Sequence, residues 1–291
     1  MLTPSMASGV LYLVATPIGN REDITLRAIR ILKTVDWIAA EDTRHSGLLL
    51  KHLEIRTPLI SYHRHNQAQR IPELLQRLQA GQSVALISDA GMPAISDPGE
   101  EMVQACLTSG ISVVPIPGAT AAITALAASG LPTERFAFEG FLPTQTAARR
   151  ERLSRLAQEE RTLIVYEAPH RLPRTLQDLA ISLGEDRQVS VGRELTKHYE
   201  EFWRGSLGSA LAHYQSQPIR GEFTLVIAGG KTTTATASID DLKQELQHLL
   251  EEGVSLSQAS RQVAKHRHQS RHQVYQLALQ LLASQPGSED A

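Results

Sequence analysis

The sequence predicts an α/β protein: two α/β domains in tandem, followed by a small all-helical module. Three observations carry that reading. Short apolar runs alternate with amphipathic helical patterns from Val10 to Ala228, the rhythm of strand–helix units that build a mostly parallel sheet. Four of the apolar runs pass directly into glycine- or proline-bearing loops. After a Thr- and Ala-rich stretch, Lys231–Ser238, the chain carries three helix-sized patterns. The expected organisation is a flexible lead (1–9), a first α/β domain (10–132), a second (133–230), a linker (231–238), a helix-turn-helix-like module (239–284) and a tail (285–291).

The elements follow in order. Val10–Ala15 is a short apolar strand. Asp23 is placed to cap a helix whose inner face is Ile24, Ala28, Ile31, Leu32 and Val35. Trp37–Ala40 reads as a strand running into Glu41-Asp42-Thr43-Arg44, and Leu59–Tyr62 as another. Pro72 opens a helix with Leu74, Leu75 and Leu78 inward, and Gly81 closes it. Val84–Ile87 is a strand that stops at Ser88-Asp89. Asp97-Pro98-Gly99-Glu100 has the form of a capping box, which makes Asp97 a helix cap. Ser112–Ile116 is a strand, followed by a helix of small apolar residues.

A second series begins with a strand at Arg135–Phe141 and a charged helix at Ala147–Glu160, with Leu153 and Leu156 as its apolar contacts. Thr162–Tyr166 is a strand, Leu172–Leu183 a helix, Gln188–Arg193 a strand and Glu200–Ser206 a returning strand. A helix near Ser209–Tyr214 and a last strand, Phe223–Ala228, complete it. In the module, the first helix buries Leu242, Leu246, Leu249 and Leu250 and ends at Gly253. Ser255–Gln258 and Ser270–Gln273 are capping boxes that open the other two, and the third lines up Val274, Leu277, Ala278 and Leu281.

Composition narrows the function. The 291 residues suit two domains and a small third at ~100–200 residues each. The 29 Lys and Arg against 31 Asp and Glu leave a net charge of −2, so binding to nucleic acid requires a local patch rather than a global field. The single cysteine, Cys106, sits in an apolar helical pattern and reads as core filler, which fits a reducing cytoplasm. The uncharged stretch from Met102 to Thr133 is cut by Gly110, Pro115, Pro117 and Gly118, so no membrane span is expected, and the N-terminus shows no signal-peptide pattern. No G-x-G-x-x-G follows the first strand and no G-x-x-x-x-G-K-[ST] occurs, which disfavours dinucleotide oxidoreductases and phosphate-loop NTPases. A G-x-S-x-G elbow is missing too. His63-x-His65 and His266-x-His268 lack a convincing third ligand, so no metal is expected.

The four strand-end loops are Ala15–Asn20, Ser88–Pro93, Pro117–Thr120 and Tyr166–Arg171. Ligands of open α/β sheets bind outside the carboxyl ends of strands, and glycine lets a ligand approach the backbone. Together the loops point to one cleft. Three polar clusters stand beside them. Glu41–His45 is either a helix cap with an ion pair or a substrate-facing acid and base. Arg193, Lys197 and Arg204 contact a phosphate backbone or coat a surface. Arg261, Lys265, His266, Arg267, His268, Arg271 and His272 form either a nucleic-acid-facing patch or a solvated face. Trp37 and Trp203 read as packing residues.

Leu11–Asn20, Glu41–Arg44, Ser88–Gly99, Pro117–Thr120, Phe138–Pro143, Tyr166–Arg171 and Gly192–Lys197 resemble, in order, motifs of the tetrapyrrole-methylase superfamily, and within it the branch that methylates small-subunit ribosomal RNA. The resemblance covers about residues 10–230 and, more loosely, the helical tail. It implies α/β domains of the tetrapyrrole-methylase type with S-adenosyl-L-methionine in the cleft between them, a homodimer, and 2′-O-methylation of a cytidine ribose in the decoding region of 16S rRNA, within the 30S subunit. It places the cofactor at Ile18, Asp89, Met92, Thr120, Ala121 and Tyr166, with Phe223-Thr224 closing over the adenine. Pro17 and Gly19 replace the Gly-rich first loop of the porphyrin-acting members, which puts a tetrapyrrole substrate in doubt. A ribose hydroxyl needs a base or a nearby cation. The groups of the right type are Glu41, Asp42, Glu167, His170, Glu194 and Lys197, with Glu41, Glu167, Glu194 and Lys197 as the catalytic candidates. Arg44, His170, Arg171, Arg193, Lys265, Arg267 and Arg271 are the candidates for holding RNA. The competing readings are a methyltransferase of the same fold acting on a tetrapyrrole or a protein side chain, and a non-catalytic RNA-binding or assembly protein.

Overall fold

The computed structural model describes residues 9–230, 239–266 and 271–283. The lead before Gly9, the linker 231–238, the Ser270 cap, Arg267, His268 and the tail 285–291 lie outside the described residues. The chain divides into two compact units, Met1–Gly229 and Gly230–Ala291. Both sheets belong to the first.

The first sheet holds β1 (Val10–Val14), β2 (Trp37–Ala40), β3 (Leu59–Ser61), β4 (Val84–Ile87) and β5 (Ser112–Ile116), in the order β3-β2-β4-β1-β5, and every pairing is parallel. All four residues of β4 are buried, as expected of a central strand covered on both faces. Between the strands run α1 (Leu26–Thr34), α2 (Thr43–His52), α3 (Gln67–Gln79) and α4 (Glu100–Thr108). One face packs Ala28, Ile31 and Leu32 of α1 against Ile38 and Ile87, while the other packs Leu74 and Leu78 of α3 and Met102 and Cys106 of α4 against Leu11 and Leu86. Burying each of these Leu, Ile and Met side chains contributes roughly 1.5–3 kcal/mol.

Three expected starts are corrected. Asp23 does not cap α1. Asn20 caps a single 3-10 turn, Arg21–Asp23, and Thr25 caps α1 by accepting from the Ala28 N–H at 3.0 Å. Pro72 lies inside α3, which begins five residues earlier. Asp97 is not the cap of α4, because Gly99 occupies that position at φ +151°. Gly9, expected in a loose lead, is buried and donates to Leu78 O at 2.7 Å.

α5 (Ala121–Ser129) leaves the first sheet and packs on the second. Ala122, Ala125 and Leu126 share a cluster with Ile164, Leu195 and Val226. The second sheet contains β6 (Phe136–Phe141), β7 (Thr162–Glu167), β8 (Gln188–Arg193), β9 (Glu201–Ser206) and β10 (Phe223–Ile227), ordered β6-β7-β10-β8-β9. Only β6–β7 is parallel, which corrects the expectation of a mostly parallel second series. β10, buried along its whole length, lies antiparallel between β7 and β8. Its start therefore meets the ends of both neighbours. α6 (Thr146–Ala157), α7 (Leu172–Leu183) and α8 (Leu207–Gln215) cover the face opposite α5 through Leu153, Leu156, Leu176, Leu179 and Ala210.

The second unit is a three-helix module of α9 (Ile239–Glu251), α10 (Leu256–His266) and α11 (Arg271–Ala283). Leu242, Leu246, Ala259, Val263, Val274 and Ala278 form its core. No helix among the described residues is long and apolar enough to cross a membrane.

Candidate active site

Beyond β1 and β4 the two loops are stapled together. The Thr16 N–H donates to Gly91 O at 2.9 Å and the Gly91 N–H returns to Thr16 O at 3.1 Å. Gly91 sits at φ +79°, where a side chain is strained. The staple sets Ile18 and Met92 into the wall of a cavity of about 450 Å³. The first half adds Ile95, Ser96, Asp97, Thr120 and Ala121. The second half adds Phe141, Tyr166, Pro169, His170, Leu195, Phe223 and Thr224. The cavity thus lies at the carboxyl ends of β1, β4, β5, β7 and β8 and the start of β10, where open α/β sheets bind ligands. Its size suits a nucleoside-sized molecule.

Several contacts hold the two walls together. The Tyr166 hydroxyl accepts from the Ala122 N–H at 3.0 Å in the first turn of α5, which has no side-chain cap. Burial pushes the Tyr166 phenol up, so it stays protonated. Gly19 lies against the turn after β8, where an added Cβ would stand 2.4 Å from Lys197 Cγ and 3.0 Å from Leu195 O. The Asn20 N–H donates to Thr196 Oγ1 at 3.0 Å. Glu194 and Thr196 in that turn take left-handed φ values of +49° and +65°. Lys197 Nζ is clamped by Glu194 Oε1 at 2.9 Å and Glu222 Oε2 at 2.7 Å. Burial works against the Lys197 charge, but the hydrogen bonds it donates to Glu222 and Glu194 outweigh it and raise the ammonium above its usual range.

At the ends of β2 and β4 three carboxylates converge. Asp42 turns outward, caps α2 through the Arg44 N–H at 2.8 Å and pairs with the Arg44 guanidinium at 2.9 Å. Those bonds hold Asp42 well below the usual carboxylate range. Glu41 turns the other way, towards Asp89 and Asp97. Burial, then the Asp89 charge, raise its carboxyl. Asp97 is pushed up to about 6 by burial and by the charges of Glu41 and Asp89.

Of the residues expected at the cofactor, Ile18, Met92, Thr120, Ala121 and Tyr166 line the cavity, as do Phe223 and Thr224. Asp89 stands just behind its wall and accepts from the Asp42 N–H at 3.2 Å. Among the expected catalytic groups, Glu167 lies beside the cavity with its carboxylate fully engaged. It accepts from Thr175 Oγ1 at 2.5 Å and the Ala168 N–H at 2.8 Å, and pairs with Arg171 at 3.2 Å. Glu194 and Lys197 sit behind Leu195, and Glu41 behind Asp97. Arg171 also donates to Leu142 O at 2.6 Å, and Arg193 to Arg220 O at 2.9 Å and Glu201 at 3.3 Å. Arg204 reaches Ser129 O at 3.2 Å across the two halves. Arg44 remains 89% exposed beyond its pair. In the second unit Lys265 is exposed and Arg271 reaches Ser257 at 3.3 Å, while His266 pairs with Glu245 at 2.7 Å. Sequence reasoning missed Asp97 because the Asp-Pro-Gly-Glu spacing imitates a capping box. It also missed Phe141 and Ile95, whose exposed apolar side chains sit at the cavity.

Residues 10–211 match the tetrapyrrole (corrin/porphyrin) methylase family. A ribosomal RNA small subunit methyltransferase I from Synechocystis sp. is 56% identical over 276 residues, covering 94% of this chain and 99% of the relative. One from Halalkalibacterium halodurans is 49% identical, covering 92% and 94%. Among solved structures, uroporphyrin-III C-methyltransferase from Thermus thermophilus complexed with S-adenyl homocysteine superposes with a TM-score of 0.53 at 22% identity, covering 75% of this chain and 97% of that one. The match takes in the first sheet and β6 to β9 of the second, and the relatives extend through nearly the whole chain: this protein belongs to the tetrapyrrole methylase family, in the group of ribosomal RNA small subunit methyltransferase I.

Proposed function

We propose that the protein uses S-adenosylmethionine to methylate the 2′-hydroxyl of a cytidine ribose in the decoding region of 16S rRNA, as a cytoplasmic homodimer acting on the 30S subunit. One observation carries the RNA substrate. The family match ends at residue 211, whereas the likeness to relatives named for small-subunit rRNA methylation takes in 94% of the chain and so reaches the helical unit.

The cavity fits the cofactor chemically. Ile18, Met92, Leu195 and Phe223 offer apolar surface to a flat base. The uncapped first turn of α5 at Thr120 and Ala121 presents backbone N–H groups of the kind that favour a carboxylate. When bound, S-adenosylmethionine supplies an electrophilic methyl group on a sulfonium. The transfer is an in-line displacement, so the main work of the chain is positioning. Tyr166 fixes the start of α5, Glu167 fixes the Ala168–Arg171 loop, and the Glu194–Lys197–Glu222 clamp holds the rim. Glu41 sets the charge of the acid group beside the cavity. His170 at the cavity and the exposed Arg44, Lys265 and Arg271 are the groups placed to meet RNA. With a net charge of −2, recognition relies on such local patches, and an assembled particle is the better substrate.

Labelled S-adenosylmethionine and 30S subunits lacking the modification test the reading, with nuclease mapping of the product. A label at one 2′-oxygen in the decoding region, and slower transfer to protein-free 16S rRNA, is the expected result. Transfer to a porphyrin-like acid instead of RNA would overturn it.

A further inference from the structure

We propose that Phe141 and Ile95 form a lip at the mouth of the cavity that grips the unstacked base of the nucleotide being methylated. The proposal rests on the RNA reading above and names the part of the substrate that the mouth recognises. The cavity has two apolar zones. Its floor, with Ile18, Leu195 and Phe223, is buried. Its lip is open: Ile95 from the first half is 48% exposed and Phe141 from the second is 53% exposed.

Irregular backbone presents both side chains. Ile95 sits between Ala94 and Ser96, which take left-handed φ values of +69° and +66°. On the other wall, the β6–β7 register shifts between Phe138 and Gly140, and Gly140 takes φ +61°. Such a bulge re-aims the side chains beside it. The two segments meet, because a Cβ added at Gly140 would stand 3.4 Å from Ser96 Oγ. Ile95 and Phe141 therefore flank one point of contact between the walls. The Phe141 ring is steadied by Tyr166, which it meets at 63° with 5.8 Å between centroids. Tyr166 is itself fixed to the Ala122 N–H. Exposed apolar side chains gain no burial in the folded chain, so strained backbone that presents them points to a ligand that covers them.

The chemistry of the substrate says which ligand. The reacting 2′-oxygen and the base are carried on adjacent carbons of the ribose. With S-adenosylmethionine against the buried floor, a hydroxyl that reaches the sulfonium brings its own base to the lip. A base stacked in a helix cannot enter, so the nucleotide is splayed out, and splayed RNA bases are held by stacking on aromatic side chains. A flat base has two faces, and the lip offers one ring and one aliphatic side chain from different walls. His170 is exposed at the same cavity, placed for a neighbouring phosphate.

The test compares full-length wild type, Phe141→Leu, Phe141→Trp and Ile95→Ala in single-turnover methylation of 30S subunits lacking the modification, over a range of subunit concentrations. S-adenosylhomocysteine affinity is read by calorimetry and oligomeric state by sedimentation. Phe141→Leu keeps the apolar bulk but loses the ring, and is expected to slow transfer at limiting subunits about 10–100-fold, with ligand affinity within about twofold of wild type. Phe141→Trp restores a ring and is expected to recover most of that loss, while Ile95→Ala slows transfer by about 3–10-fold. Wild-type transfer by Phe141→Leu would overturn the proposal alone. Weakened S-adenosylhomocysteine binding in Phe141→Leu would overturn it by assigning the ring to the cofactor, and a changed oligomeric state by assigning it to an interface between copies. No transfer to RNA by the wild type would overturn the RNA reading and the proposal with it.

Discussion

Tyr166 and Asp97 face one cavity, and each carries its burial differently. The Tyr166 hydroxyl is protonated and uses an α5 backbone donor. Tyr166→Phe leaves the Ala122 N–H unpaired, at ~1 kcal/mol. A fall of up to about tenfold in S-adenosylhomocysteine affinity is expected by calorimetry, with little change in affinity for 30S subunits. Asp97 has its folded value raised to about 6, above the ~3.9 of an unfolded chain. A carboxyl raised in this way costs nothing while both states are protonated. Stability falls as pH climbs from about 4 to about 6 and stays lower above. Asp97→Asn removes that cost, so thermal melts are expected to show it more stable than wild type by ~1 kcal/mol at pH 8, after allowance for solvent screening, and equal to it near pH 3.5. A site residue that weakens its own fold is the usual stability–activity trade.

At the scale of elements, α5 and the loop after β1 join the two walls. Leu126→Ala cuts the cluster that α5 shares with Ile164 and Val226, and a loss of ~2–5 kcal/mol is expected in denaturant unfolding. Gly19→Val pushes against Lys197 Cγ and Leu195 O. It is expected to cost ~1–3 kcal/mol and to weaken S-adenosylhomocysteine more than tenfold, because the rim opens. Elements with clear apolar runs were legible in the sequence: Trp37–Ala40, Val84–Ile87, Leu172–Leu183 and Gln188–Arg193 match their observed bounds. Strand direction was not. A strand buried on both faces reads the same whichever way it runs, so the antiparallel course of β10 between β7 and β8 left no mark. Helix starts failed where several capping residues compete, as with Asn20, Asp23 and Thr25. The cavity wall was legible through its loops, each continuous in sequence. The carboxylate trio was not, since Glu41 follows β2 while Asp89 and Asp97 lie on the loop after β4, and they meet only through the order β2-β4 in the sheet.

For the whole molecule, the helical unit has its own core, and the first unit contains every residue that lines the cavity. A chain ending at Gly230 is therefore expected to melt cooperatively and to bind S-adenosylhomocysteine with wild-type affinity. Its methylation of 30S subunits is expected to fall at least tenfold, with a shallower dependence on salt as the Lys265 and Arg271 contacts go. The position of β10 has a further consequence, for the chain as it is made. The middle strand of the second sheet is the last of that sheet to leave the ribosome. Until Phe223–Ile227 emerges, β7 and β8 each present an open, strongly apolar edge to water. The nascent protein must wait through β8, β9 and α8 with that gap unfilled, a window in which chaperone capture competes with edge-to-edge aggregation.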